Sequence, residues 1–501
     1  MQTPLFEIKN FNGGMTLSDT LGKEDQFKIG KNLDFEAKPG KLTCGLAWYD
    51  YKYEGSEDMT ATINSIFRSS NGTIYLGGSD TRIYTVSGDA NIIMSHDSSA
   101  AGAVASFAEY GDYTYYSQGN KIGRINLTGS EVWNDSWQTL TQQAYRPMIT
   151  SNDDKLYISN GNYIASYDDS SYVSGALDLP ADYLPRDLAD FGYRYLSIGA
   201  NKVSSGSFLT SRESKIFLWD RNNAASWNDE IVVPEKSIHA MIFSAGYLWF
   251  WAGENANIYV VPEDSRKATK MFEFQIEDKG DTEFTVYPQS VTELDGKIYF
   301  GLSDGNSYPD YNKKLHPRNP TGIYSFPSDP NNFKLNLEHN NYNMGENYYS
   351  LSNTDILFTG VDYPTSASAS VYRFQRQKDI SKSGGEYIYV DDGEYESFIY
   401  RPQANSQMFI ESFGVEFEPL PYGCSVNMYY KKEGDTDWNT VFEAFTTDDA
   451  TEKIVLKKVK AKQLQIKITL VGSSSLATTR YFRPFVERIW CTGHLIPRLP
   501  H

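Results

Sequence analysis

Helical periodicity is nearly absent from this 501-residue chain. The one stretch that shows any, Ala181 to Asp190, is too short to found a helical domain. No apolar run approaches the roughly 20 residues of a membrane span, so membrane insertion is not expected. The N-terminus, Met1-Gln2-Thr3-Pro4-Leu5-Phe6, has no basic stretch followed by an apolar one, and no signal peptide is expected. Cysteine is scarce. Cys44, Cys424 and Cys491 cannot all pair and form no ligand cluster, so reduced buried thiols are expected, as suits synthesis in a cytoplasm. Basic clusters are missing too. Acids number 64 against 46 bases, the net charge is −18 and the pI is about 4.9. Specific nucleic-acid binding needs a basic patch. The densest run, Lys457-Lys458 with Lys460 and Lys462, alternates with Val459 and Ala461 and reads as one solvated strand face.

Recognisable chemistry is equally sparse. No glycine-rich phosphate loop precedes a helix, and no metal-ligand spacing appears. The six histidines, His96, His239, His316, His339, His494 and His501, are scattered. His239 lies in an apolar strand, where a packed ring with a satisfied nitrogen is expected. Asp304-x-Asn306 opens like a calcium loop, but the glycine and the terminal glutamate are out of place. The paired acids Asp153-Asp154, Asp168-Asp169, Asp391-Asp392 and Asp448-Asp449 lie in turns. The chain is therefore expected to be no enzyme, with no catalytic, metal or cofactor-binding residue and no cofactor.

What the chain does contain is a repeat. A turn leads into a short strand centred on an aromatic: Gly72-Thr73-Ile74-Tyr75-Leu76, Gly111-Asp112-Tyr113-Thr114-Tyr115-Tyr116, Asp154-Lys155-Leu156-Tyr157-Ile158, Gly192-Tyr193-Arg194-Tyr195-Leu196, Gly246-Tyr247-Leu248-Trp249-Phe250 and Gly296-Lys297-Ile298-Tyr299-Phe300. Thr354-Asp355-Ile356-Leu357-Phe358 is a degenerate copy. The centres lie roughly 40 to 58 residues apart, the range of β-propeller blades. A second strand follows each, as in Ile83-Tyr84 or Ile258-Tyr259-Val260, and an apolar stretch precedes each, as in Ile63-Asn64-Ser65-Ile66-Phe67 or Ile238-His239-Ala240-Met241-Ile242-Phe243. Each unit thus carries at least three strands. The reading is all-β: a propeller of about six or seven blades, with an irregular sandwich of evenly spaced strands as the competing reading. A propeller offers a central channel, two loop-covered faces and a rim for oligomer contacts. Propeller glycosidases bring carboxylates to the central axis, which sequence cannot place here. The Ser-x-Asp-x-Gly-x-Thr-Trp type box of many sialidase-like propellers is absent.

Three segments follow. Residues 1–60 are expected to be an N-terminal extension that joins or closes the propeller and contacts neighbours. Residues 61–380 hold the repeats. After a polar linker with Ser381-Lys382-Ser383-Gly384-Gly385 and Asp391-Asp392-Gly393, residues 395–501 show long period-2 strands, such as Ser425-Val426-Asn427-Met428-Tyr429-Tyr430 and Leu464 to Leu470, and read as a small antiparallel β-sandwich. Insertions at 202–214 and 303–320 lengthen two units. The second is rich in Tyr, Pro and charge, and its Tyr308, Asp310, Tyr311, His316 and Arg318 are the candidate partner contacts; a plain mobile loop is the alternative.

The N-terminal segment reads Phe11-Asn12-Gly13-Gly14-Met15-Thr16-Leu17-Ser18-Asp19, then Asp25-Gln26-Phe27, Asn32-Leu33-Asp34-Phe35 and Lys38-Pro39-Gly40-Lys41-Leu42. This opening resembles that of tailed-bacteriophage tail proteins in which a propeller follows. With Tyr429-Tyr430-Lys431, Trp438-Asn439 and the closing Ile496-Pro497-Arg498, the chain is similar to the tail nozzle or hub proteins of short-tailed phages. The resemblance implies a non-enzymatic virion component, made in the host cytoplasm, that assembles with itself as a ring, usually a hexamer, below the tail adaptor. DNA would leave through the shared channel without specific binding, and fibres or spikes would dock outside. An acidic subunit suits a channel that must not hold DNA. A carbohydrate-binding or host-adhesion propeller is the competing function, since exposed Tyr and Trp stack on sugars. Trp219, Trp249 and Trp251 sit on predicted strands, where core packing is the expected role.

Overall fold

The computed structural model describes residues 4–11, 13, 27–31, 33, 38, 40–44, 48–53, 63–87, 91–100, 102–128, 132–141, 147–203, 213–222, 226–274, 284–294, 296–304, 322–339, 357–361, 369–374, 392–402, 406–446, 451–475 and 480–497. The chain forms two compact units. One comprises Asp50–Phe333 and Asn341–Arg373; the other comprises Met1–Tyr49, Lys334–Asn340 and Phe374–His501.

The first unit is a β-propeller, and six blades with an inner, second and third strand stand among the described residues. Each begins with an inner strand: Ile63–Arg68, Val104–Tyr110, Met148–Ser151, Tyr183–Phe191, Ile238–Ser244 and Phe284–Leu294 in blades 1 to 6. Each inner strand lies against the next, and the sixth lies against the first, which closes the ring. The second strands are Ile74–Gly78, Tyr113–Gln118, Lys155–Asn160, Tyr195–Lys202, Tyr247–Ala252 and Lys297–Asp304. They carry the repeat centres Tyr75, Tyr115, Tyr157, Tyr195, Trp249 and Tyr299, all buried. The glycines opening the repeats, Gly72, Gly111, Gly192, Gly246 and Gly296, all turn at positive φ, and Asp154, at φ 58°, takes that role in blade 3. Asp tolerates the left-handed region better than most residues, so blade 3 keeps its hairpin without glycine.

Alternation drives the packing. Side chains on the two faces of a blade bury against the blades on either side. Phe191, Ile216, Leu218, Leu248, Phe250 and Val261 form one core between blades 4 and 5. Trp249, Trp251, Phe300 and Phe326 pack as tilted rings between blades 5 and 6, with ring centroids 4.7 Å apart for Trp249–Phe326 and 5.0 Å for Trp251–Phe300.

Three sequence expectations become specific here, and the last of them changes. The copy at Leu357 is a strand, Leu357–Val361, that lies against the inner strand of blade 1, pairs antiparallel with Ala369–Phe374 and is linked through Trp48–Tyr53 to the outer strand of blade 1. Blades 1 to 5 also have a fourth, outer strand, such as Trp133–Thr139 or Tyr172–Asp178. The weak helical stretch at Ala181–Asp190 is the inner strand of blade 4. A β-bulge between Pro185 and Asp187 resets the alternation, so Tyr183 and Leu188, an odd number of residues apart, bury in the same core.

The second unit is an antiparallel β-sandwich. One sheet runs Pro4–Ile8, Phe485–Pro497, Ser406–Phe417, Glu452–Ala461, with Leu42–Thr43 also on Phe485–Pro497. The other includes Phe27–Lys31, Asp392–Ser397, Leu464–Val471, Ser425–Lys432 and Asn439–Phe445 in that order. Phe413 and Val415 face Met428, Tyr430 and Ile468 in a core with almost no exposure. The extra residue Glu411 flips the parity of Ser406–Phe417, so Met408 and Ile410 before it and Phe413 and Val415 after it all point inward. Gly493 at the crossing has its Cα against Phe409, where a Cβ would lie 2.0 Å from the Phe409 carbonyl oxygen.

Residues 1–49 group with the sandwich, while the strand Trp48–Tyr53 joins the blade 1 sheet of the propeller, so the segment expected over 1–60 is shared between the two units. Buried Phe6, Ile8, Phe11, Phe27 and Leu42 supply the reason for the sandwich grouping. Phe11 meets Tyr395 edge-on at 5.1 Å, and Lys41 bonds Glu418 at 2.6 Å and Glu487 at 2.5 Å. Of the expected linker, 381–391 lies outside the described residues, and Asp392 and Gly393 are not linker but open the strand Asp392–Ser397, where they pair with Val471 and Leu470.

Candidate functional site

The propeller axis is where a blade ring usually places function, and polar side chains gather there. An inner strand has an unpaired edge facing the axis, so its backbone groups need partners. Bulges in the inner strands supply them. Register shifts set Asn64, Ala105, Arg186 and His239 out of line in blades 1, 2, 4 and 5. In blade 6 the shift widens to Tyr287-Pro288-Gln289-Ser290.

Arg186, 6% exposed, donates from Nε to the His239 carbonyl at 3.2 Å. Its guanidinium lies 5.7 Å from the Tyr287 ring of blade 6. Gln289 donates to the Ala105 carbonyl of blade 2 at 2.5 Å. Each of these two contacts skips a blade, so together they cut across the central channel. Asp187 accepts from the amides of Leu188 and, in blade 5, Met241, the latter at 2.7 Å. Asn201 grips Ile238 with both ends of its amide, at 3.0 and 2.8 Å. His239 donates from Nε2 to the Gly253 carbonyl at 2.9 Å.

The environment shifts two of these groups. Burial, aided by the charge of Arg186, pushes His239 down to about 4, so the ring is neutral at pH 7. Burial pushes the Asp187 carboxyl up to about 7, against the pull of the two amides and Arg186. Both groups are already engaged with backbone. The Ser237 hydroxyl lies 3.4 Å from His239 Nε2, but that nitrogen donates to the Gly253 carbonyl and so has no lone pair to act as the hydroxyl's base.

A second cluster staples blade 1 to blade 2. Asp135 receives His96 Nε2 at 2.7 Å, the Tyr116 hydroxyl at 2.6 Å and both the amide and hydroxyl of Ser99. Burial alone would raise Asp135, but these donors outweigh it and hold the carboxylate at about 2. The His96 ring stacks on Trp133 at 4.2 Å. A Ser–His–Asp triad needs serine on the histidine; here Ser99 and His96 both donate to the same carboxylate, which anchors rather than activates. A third cluster joins blades 3 and 4: Arg221 reaches Asp190 at 2.6 Å and Ser151 at 2.7 Å, while Tyr157 donates to Asp153.

The residues singled out from sequence fare differently. Tyr308, Asp310, Tyr311, His316 and Arg318 lie outside the described residues. So does most of the 202–214 insertion. The strands that bracket the two insertions, in blades 4 and 6, end on the same face of the propeller because both insertions join a second strand to a third. Trp219, Trp249 and Trp251 are core residues at 2%, 0% and 0% exposure, as their strand positions imply. His239 is the packed, satisfied ring expected of it. Lys458, Lys460 and Lys462 are exposed, as expected of a solvated strand face. The three cysteines are buried thiols. Sequence reasoning passed over Arg186, Asp187 and Gln289. An Arg-Asp pair between Leu184 and Leu188 inside an apolar strand was the available signal.

No group of metal-ligating side chains occurs among the described residues, and no helix there is long and apolar enough to cross a membrane. No family model matches the chain, and no curated protein matches it. Solved propellers do match. The Neurospora crassa Pan2 WD40 domain aligns with TM-score 0.44 and 10% identity over 66% of this chain and 96% of its own. Catalytically inactive virginiamycin B lyase from Staphylococcus aureus, with quinupristin, aligns with TM-score 0.42 and 13% identity over 66% of this chain and all of its own. Similarity at this level carries no argument about function. The propeller rests on the blades and their closure.

Proposed function

We propose that this protein is a non-enzymatic structural component of a short-tailed phage tail, a nozzle or hub subunit that assembles as a homo-oligomeric ring. The observation that carries the reading is how the polar groups of the axis are spent. Arg186, Asp187, Asn201, His239 and Gln289 are all bonded from one blade to another or to their own backbone. Such a propeller is a rigid block, not a reaction vessel. The N-terminal motif and the net charge of −18 add support. Contacts that cross the propeller's own channel leave it no bore for a duplex, so in this reading DNA passes between subunits, along a lumen that the ring encloses. Adaptor and fibre or spike proteins would dock on the propeller faces.

One observation favours the adhesion reading. Tyr193, at the hairpin tip of blade 4, is 92% exposed, and Tyr422 in the sandwich is 75% exposed. Exposed aromatics of this kind stack on sugars. Mass measurement of the purified chain together with glycan-array binding separates the two. A ring-sized assembly that ignores glycans supports the tail reading; a monomer that retains a glycan, with binding lost in Tyr193→Ala, overturns it.

A further inference from the structure

The Glu452–Ala461 strand ends its sheet. Ser406–Phe417 pairs with one edge of it, and no strand pairs with the other edge among the described residues; Asn439–Phe445 of the other sheet packs near the strand. Native proteins blunt such edges with charge, proline or a bulge. The C-terminal end of this one is blunted: a register shift falls between Leu456 and Val459, and beyond it Lys460 and Lys462 are exposed, so regular pairing is open only up to Lys458. The N-terminal half is not. Ile454 is 52% exposed and Leu456 is 86% exposed, the latter among the most exposed large apolar side chains described.

The outward face of the strand reads Glu452, Ile454, Leu456, Lys458, that is, acid, apolar, apolar, base. Reversed, the same row is base, apolar, apolar, acid. An antiparallel copy in register about Val455 sets Glu452 opposite Lys458 and Ile454 opposite Leu456, and two-fold symmetry makes each pair twice. The lysines on the other face are already held within the subunit. Lys453 lies 4.9 Å from the Phe445 ring centre, and Lys457 donates to the Thr440 carbonyl 5.1 Å from the Tyr430 ring centre.

We propose that this edge is a docking surface for a second copy of this chain, which adds antiparallel about Val455 and joins two sandwiches through one continuous sheet. The contact is isologous. A ring built head to tail uses heterologous contacts and leaves a two-fold edge unused, so this proposal stands or falls apart from the ring.

Sedimentation of the full chain over a concentration series tests it. Wild type shows a reversible two-fold association step, whether the associating unit is a single chain or a ring. Leu456→Lys lacks that step over the same range. Lys458→Glu weakens the dimer about tenfold, because two symmetric pairs turn from attraction to repulsion. The double exchange Glu452→Lys/Lys458→Glu restores it, as only this register requires. All these side chains are exposed on the strand's outer face or at its edge, and urea midpoints of the variants should match wild type. Wild type that shows no two-fold step, a dimer indifferent to Lys458→Glu, or a double exchange that fails to restore pairing overturns the proposal. Ring-sized assemblies unaffected by all three variants leave the ring in place and remove this edge.

Discussion

The neutral His239 should leave a signature in the pH dependence of stability. In the folded chain the ring takes a proton only near pH 4, whereas unfolded it does so from 6.5 downward. Stability from this group is thus complete above 6.5 and lost as the pH falls toward 4. Asp187 runs the other way. Unfolded, it loses its proton above 3.8; folded, only near 7, so its contribution is lost as the pH rises through that interval. At roughly 1.4 kcal/mol per pH unit, going from pH 7 to pH 5 costs about 2 kcal/mol through His239 and returns about 2 kcal/mol through Asp187. The two nearly cancel in wild type. His239→Gln keeps a donor for the Gly253 carbonyl and removes only the titration. Its urea-unfolding free energy should gain about 2 kcal/mol on wild type between pH 7 and pH 5, while Asp187→Asn should lose about as much. The slope is the readout, so any constant cost of either substitution drops out. Superimposable pH profiles for wild type and both variants would refute the assignment of buried, untitrated groups at the axis.

Three further outcomes follow from packing. Tyr299→Ala removes a phenol with 1% exposure from the second strand of blade 6 and should lower the urea-derived stability by about 3 kcal/mol, as large-to-small core changes do; an unchanged midpoint would mean that the repeat centre is misplaced. Gly123→Ala would put a Cβ 2.1 Å from the buried Tyr116 ring, so it should cost about 1–3 kcal/mol and, by loosening the Tyr116–Asp135 bond, speed exchange of the Ser99 amide. Residues 392–501 expressed alone lack the strands that 1–49 lay on Phe485–Pro497 and Asp392–Ser397; they should melt without cooperativity until a 1–49 peptide is added, and a sharp melt of the fragment alone would contradict the division into units.

The propeller was legible because its second strands carry an aromatic after a positive-φ turn, glycine in five of the described blades and Asp154 in blade 3. The outer strands were not. Trp133–Thr139, for example, alternates half-buried and exposed residues with little apolar content, and at the rim a strand needs only its ladder. The membership of 1–49 was hidden for another reason. Phe6 pairs with Cys491 and Leu42 with Val486, and nothing local announces a partner so distant in the chain. At the axis, the tryptophans and His239 read correctly from their strand context. Arg186 and Gln289 did not, because their meaning lies in bulges that aim them across the channel, and a bulge leaves no mark in composition.

The central claim is that this chain forms a ring around DNA in a phage tail. Electron microscopy of the particle that carries it, with the chain located by a label on the sandwich, tests this directly. The account predicts several copies around the tail axis, with density for DNA in the lumen between subunits and none through any single propeller. Copies that lie away from the axis, or a particle whose DNA threads the propeller bore past Gln289 and Arg186, would contradict it.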